Sequence, residues 1–148
     1  MRIFVDADAC PVKKTIIEIG EKYSIPVYLV LSLSHYSPQD KKVETILIDN
    51  IPEAVDIAIS NRVVKGDIVI TQDYGLASIL ISKGCIVLHH TGKKFTKDNI
   101  DELLFQRHLA SKVRRSGGKI KGPKTFTEKD KNRFKISLEK VIERYKQE

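Results

Sequence analysis

Short apolar runs alternate with stretches of helical period along the first 90 residues, the pattern of an α/β fold whose sheet is mostly parallel. Ile3-Phe4-Val5 is the first expected strand. Pro11 suits the opening of a helix, and Val12, Ile16, Ile19 and Tyr23 follow on one stripe of it, with Gly20 a weak point near its end. Residues 27–31 and 45–48 predict the second and third strands. Pro52 opens a second helix carrying Ile51, Val55, Ala58 and Ile59 on one side. Ile68-Val69-Ile70 is apolar at every position, which predicts a central strand covered on both faces. Leu76, Ile79 and Leu80 mark a short helix stopped at Gly84, and residues 85–88 form the last expected strand.

Strand signals stop after residue 90. Residues 99–115 predict a helix with Ile100, Leu103, Leu104 and Arg107 on one side. The run Gly117-Gly118-Lys-Ile-Lys-Gly122-Pro123-Lys124 has the composition of a flexible basic linker. Thr127 with Asp130 reads as a helix cap, followed by Phe134, Leu138, Val141, Ile142 and Tyr145 on one face of a final amphipathic helix. The polar segment from Ser32 to Lys42 is long enough to reach over a site. The expected architecture is a three-layer α/β fold in one domain over residues 1–148: a core over about residues 1–90, with a basic helical extension over about 97–148.

Composition narrows the class. With 148 residues, 41% apolar and 30% charged, the chain suits one ordinary globular core. No run approaches 18 apolar residues, which argues against a membrane helix. The opening Met1-Arg2-Ile3-Phe4-Val5-Asp6 meets an acidic residue where a signal peptide needs an apolar centre, so the expected location is cytoplasmic. Cys10 and Cys85 make neither a disulfide framework nor a zinc quartet. The net charge of +7 is unevenly spread: residues 1–88 carry nine basic and eleven acidic side chains, residues 89–148 seventeen and eight. Arg107, Lys112, Arg114, Arg115, Lys119, Lys121 and Lys124 follow one another with no acidic residue between them. That asymmetry points to a polyanion, nucleic acid first, against the plainer reading of a solvated tail.

In parallel α/β sheets ligands bind at the carboxyl ends of the strands. The first strand ends in Asp6-Ala7-Asp8 and the central strand in Thr71-Gln72-Asp73, while Asp56 lies near the start of a helix opening at the same edge. Carboxylates gathered this way repel, and a hard divalent cation, Mg²⁺ or Mn²⁺, relieves the repulsion while activating water against a phosphate. The purely structural alternative is that Asp8 and Asp73 cap the helices that follow them. A second chemistry is open as well. Ile-Phe-Val-Asp6-Ala-Asp8 looks like the motif of haloacid-dehalogenase-type phosphatases, with Asp6 as nucleophile, Ser32 as the second-strand hydroxyl and Gly66-Asp67 to Asp73 as the metal loop. Cys10-Pro11 and the short chain speak against it. Weaker candidates are His89 and His90, which on a strand would face opposite ways; Cys10, whose pKa a helix start would lower; and Tyr36 and Tyr74 as base-stacking rings.

Phe4-Val5-Asp6-Ala7-Asp8-Ala9-Cys10-Pro11-Val12-Lys13, then Gly66-Asp67-Ile68-Val69-Ile70-Thr71-Gln72-Asp73, then Arg107 and Gly122-Pro123 with Phe126, Asp130 and Phe134, resemble the YaiI/YqxD family of bacterial proteins. The resemblance runs nearly end to end. It implies a PIN-like fold, whose characterised members are often Mg²⁺- or Mn²⁺-dependent nucleases with clustered acids at the strand ends. It singles out Asp6, Asp8 and Asp73 and adds Arg107 as a phosphate contact. The chain departs from the pattern at Gly75, where proline is expected, and at His89-His90, where a Pro-Arg-like pair is expected. The expectation is a nuclease acting on RNA or DNA, RNA before DNA: Asp6, Asp8, Asp56 and Asp73 at the metal, and Arg107, Arg114, Arg115, Lys119, Lys121 and Lys124 on phosphates. The alternatives are the phosphomonoesterase above and a nucleic-acid-binding module without catalysis.

Overall fold

The computed structural model describes residues 1–36, 43–119 and 125–147. Six strands form one sheet: β1 (Ile3–Asp6), β2 (Val27–Ser32), β3 (Glu44–Ile48), β4 (Ile68–Ile70), β5 (Ile86–Leu88) and β6 (Lys94–Phe95). Their spatial order is β3-β2-β1-β4-β5-β6. The first five pair in parallel, and β6 adds an antiparallel edge. Sequence periodicity predicts no strand after residue 90, and β6 departs from that expectation. It is two residues long, so it has no period to read, and its pairing with β5 depends on the turn closed by His89 N–H donating to the Lys93 carbonyl (2.8 Å).

The central strands are covered on both faces, as their unbroken apolar character requires. Alternation in β1 sends Ile3 and Val5 to one side and Phe4 to the other. On the Ile3 side lie α1 (Lys13–Tyr23) and α5 (Glu128–Gln147), contributing Ile16 and Ile19 and then Phe134, Leu138 and Ile142. On the Phe4 side lie α2 (Ala54–Arg62), α3 (Tyr74–Ser82) and the start of α4 (Lys97–Arg115), with Ile59, Leu76, Leu80 and Ile100. The C-terminal helix is thus built into the core. Side chains also tie it to α1: Tyr23 hydroxyl donates to Glu143 Oε1 (3.0 Å) and Lys146 Nζ to the Tyr23 carbonyl (3.0 Å). Among the described residues no helix is long and apolar enough to cross a membrane.

Two local expectations change. The sequence weakens α1 at Gly20, yet the helix runs through it, because a Cβ there would stand 2.5 Å from Val27 Cγ2: the glycine lets helix and strand approach. Ile51 is expected on the buried side of α2 but precedes the helix and is exposed; Glu53 turns into the left-handed region (φ 66°) between them.

At the amino end of the β1–β4 pair, Asp67 is only 2% exposed. It accepts hydrogen bonds from Arg2 Nη2 (2.8 Å), the Arg2 amide (3.2 Å) and the Val64 amide (2.9 Å). Removing it leaves a cation and two amides without their acceptor. Asp67→Ala is expected to cost about 2–4 kcal/mol in urea unfolding; a loss below about 1 kcal/mol would mean that water replaces the carboxylate.

Candidate functional site

After β1 the chain winds outward through β2 and β3, then returns to start β4 on β1's other side and continues to β5. That reversal leaves a crevice at the carboxyl ends of β1 and β4, where the two crossovers part. Each acidic side chain reaches it by a different route. Asp6 ends β1, and its Oδ2 accepts from Thr71 Oγ1 (2.9 Å), the first residue beyond β4. Asp8 does not cap α1, whose first turn has no side-chain cap; its carboxylate accepts instead from the Ser32 amide (2.8 Å) and Ser32 Oγ (3.0 Å) at the end of β2. Asp73 does cap α3, accepting from the Leu76 amide (3.0 Å), while its own amide donates to Thr71 Oγ1 (3.0 Å). Asp56 arrives from the first turn of α2.

The electrostatics follow from this convergence. Burial pushes Asp6 above the usual carboxylate range; the Thr71 hydroxyl opposes that, and the charges of Asp8 and Asp73 add to it. Asp56 is pushed up to about 7, first by burial, then by Asp73 and Asp6. Arg107 from α4 places a cation against the group, with Nη1 3.8 Å from Asp73 Oδ1. Two clefts meet here. One, of about 450 Å³, runs over Asp6, Asp8, Asp56 and Asp73 toward Ser32 and Asn50. The other, of about 340 Å³, is lined by Asp6, Asp8, Gln72, Asp73 and Arg107. Among the described residues no three carboxylate, imidazole or thiol groups are set as a finished cation site. Asp8 and Asp73 are turned to Ser32 and to the α3 amide. The donor set is nevertheless hard oxygen under mutual repulsion, the chemistry that suits Mg²⁺ or Mn²⁺.

The structure therefore brings Asp6, Asp8, Asp56 and Asp73 to one edge with Arg107 beside them. Arg114 and Arg115 close α4 and Lys119 follows it, all exposed and away from the clefts. Arg114 lies seven residues beyond Arg107 on the same face of the helix, about 10 Å further along it. Lys121 and Lys124 fall outside the described residues.

Several expectations change. His89 and His90 do not face opposite ways: β5 ends at Leu88, and their rings lie together, centroids 4.1 Å apart and tilted by 37°, in the turn that follows. His89 Nδ1 is within 2.8 Å of Thr91 Oγ1, and burial, then His90 and Lys93, bring its pKa down to about 4. Cys10 packs against the core and is pushed up to about 11 by burial, the opposite of the lowered pKa that a reactive role needs. Tyr74 packs edge-on against Phe95 and is not a free stacking ring. Asp67 lies at the opposite end of β4 from Asp73, so the two cannot belong to one metal loop of the phosphatase kind.

Sequence reasoning missed His35, which reaches back so that Nδ1 stands 2.8 Å from Ser32 Oγ and 3.5 Å from Asp8 Oδ1. The Ser-Leu-Ser-His string after β2 was the available signal, since β2 is β1's neighbour. Asn50, whose Oδ1 accepts from the Ser34 amide (3.1 Å), carried no such signal.

Because the folded protein holds the Asp56 proton more tightly than the unfolded chain does, stability falls as pH rises from about 4 to about 7 on this group's account. Asp56→Asn removes the effect. The variant is expected to melt higher than the parent at pH 8, by on the order of 1 kcal/mol after allowance for solvent screening at a partly exposed site. At pH 4.5 the two should melt together, and a gap independent of pH would remove the electrostatic account.

No solved structure matches this chain. Its sequence matches the uncharacterized BCR, YaiI/YqxD family over residues 4–144. A UPF0178 protein of Bacillus cereus strain 03BB102 is 53% identical over 144 residues, covering 96% of this chain and 99% of the relative. A UPF0178 protein of Bacillus cereus strain AH187 is 53% identical over 146 residues, 97% of this chain and 100% of the relative. One from Bacillus anthracis strain A0248 is 52% identical over 144 residues, 96% and 99%. Matched to the family over residues 4–144 and more than half identical to these relatives nearly end to end, the chain belongs to the YaiI/YqxD family of UPF0178 proteins.

Proposed function

We propose that this protein is a metal-dependent phosphodiesterase acting on nucleic acid, RNA before DNA. The observation that carries the reading is the acidic edge: Asp6, Asp8, Asp56 and Asp73 meet where the sheet reverses its winding, and Asp56 is pushed up to about 7. Carboxylates that repel one another have a use for a divalent cation, and a strand-end crevice is open to a polymer. Asp6 and Asp73 would hold a Mg²⁺ or Mn²⁺ ion between the two strand ends, with Asp56 and Asp8 completing the oxygen set. Such an ion polarises a phosphoryl oxygen and acidifies water bound to it.

The remaining work falls to the chain's own side chains. Thr71 orients Asp6 through its hydroxyl, and the α3 cap fixes Asp73. Ser32 and His35 hold Asp8 from the β2 side. Arg107, exposed beside Asp73, is the group to grip a phosphate entering the crevice. Arg114, Arg115 and Lys119 would continue the track along α4, so affinity should fall steeply with salt.

Asp6→Asn and Asp73→Asn test the reading with little structural cost, because asparagine still accepts from Thr71 at position 6 and is a good helix cap at position 73. Calorimetry with Mn²⁺ is expected to show binding by the parent that each variant weakens at least tenfold. Cleavage of single-stranded RNA should fall by a hundredfold or more in both. Mn²⁺ affinity of the parent should weaken as pH drops below about 7, since the ion must displace the Asp56 proton. Nucleic-acid binding without Mn²⁺ binding or cleavage would mark a non-catalytic module instead.

Arg107→Ala should leave Mn²⁺ affinity undiminished while lowering kcat/KM about tenfold, mostly through KM. An unchanged KM would remove Arg107 from substrate binding.

A further inference from the structure

A further cleft, of about 450 Å³, opens between α2 and α3 and shares Asp56, Asp73 and Arg107 with the acidic edge. Its other lining is of a different kind. Leu76 is buried beneath it, while Ile57 from α2 and Ile79 from α3 are 57% and 51% exposed. Ser60 and Asn61, from the last turn of α2, supply polar groups, and the exposed Asn61 side-chain amide has no hydrogen-bond partner among the described residues. Gly75 lines the cleft beside Asp73, and a Cβ there would press on the Asp73 carboxylate at 3.2 Å from Oδ1.

We propose that this cleft receives the nucleobase of the nucleotide whose phosphate lies against Arg107 and the acidic edge. The inference rests on the phosphodiesterase reading and deepens it. A nucleobase has two apolar faces and a hydrogen-bonding rim; the cleft offers aliphatic surface from two helices and a side-chain amide able to donate and accept at once. An acyl chain would leave Ser60 and Asn61 unsatisfied, and an anionic headgroup would face Glu53, Asp56 and Asp73 at the rim. Arg107 borders both the cleft and the acidic edge, so a ligand that is apolar at one end and anionic at the other spans the two. Asparagine pairs with adenine through its ring nitrogen and amino group, which makes adenosine the natural probe.

The test separates the base from the phosphate. Adenosine, ribose 5-phosphate and adenosine 5′-monophosphate are titrated into the full chain with Mn²⁺ present, following isoleucine methyl and arginine side-chain resonances. Adenosine is expected to shift the Ile57 and Ile79 methyls, ribose 5-phosphate the Arg107 signals, and the monophosphate both, at least tenfold tighter than ribose 5-phosphate. Ile57→Ser with Ile79→Ser changes surface positions only and should bring the two phosphates within about twofold of each other, with ribose 5-phosphate affinity unchanged. If the monophosphate binds no better than ribose 5-phosphate, or keeps its advantage in the double variant, the base cleft is overturned while the phosphate site stands. Adenosine binding that depends on Ile57 and Ile79, with no ribose 5-phosphate binding, supports the cleft and overturns the phosphate site. Binding of neither overturns both.

Discussion

The pairing of β1 with β4 is the constraint on which the rest depends. Ile3, Phe4 and Val5 lie opposite Ile68, Val69 and Ile70, so six buried apolar residues form the middle of the sheet. At the amino end the pair is bracketed by Arg2 and Asp67; at the carboxyl end, by Thr71 donating to Asp6. Strands whose paired residues lie 65 apart in the chain are held in register by apolar contact and by a polar bond at each end. The first bond stabilises the fold. The second sits inside the candidate site, so the contact that aligns the strands also orients one of its carboxylates.

Register then decides the electrostatics. With Val5 opposite Ile70, Asp6 and Thr71 emerge side by side, and Asp73 follows two residues later at the mouth of α3. A slip of one residue would send the apolar side chains to the wrong faces, so the core itself enforces the gathering of like charges. Burial of these carboxylates, with the gathering of like charges added to it, raises the energy of the folded state unless protons or cations are taken up, and both Asp6 and Asp56 hold their protons more tightly. Stability and site chemistry are opposed here, which is how functional sites commonly differ from the rest of a fold.

The two helical layers divide the labour. On the Ile3 side α1 and α5 lie together over the sheet, and their contacts are aliphatic packing and polar ties. On the Phe4 side α2, α3 and α4 frame the clefts, carrying Asp56, Asp73 and Arg107 to one place from three elements. α4 is buried only near its start, at Ile100, and its later turns project basic side chains into solvent. The positive half of the sequence is therefore split, part covering the sheet and part extending into solvent beyond Arg107.

The order of strands and helices through residue 88 was legible from the sequence because each apolar run has a period set by the backbone itself. The apolar central strand, the cap at Thr127 and Asp130, and the acids at the ends of β1 and β4 could be read the same way. β6 could not, being too short to carry a period, nor could the turn that brings the His89 and His90 rings together. The role of Asp8 was equally hidden: as a helix cap it needs only its own neighbours, but its actual partner is Ser32, 24 residues away on an adjacent strand. Local pattern determines which residues are helical, extended or buried, since those preferences act over a few bonds. Which carboxylate meets which, and how strongly each holds its proton, was decided only when the strands paired, because repulsion and burial depend on distance through space.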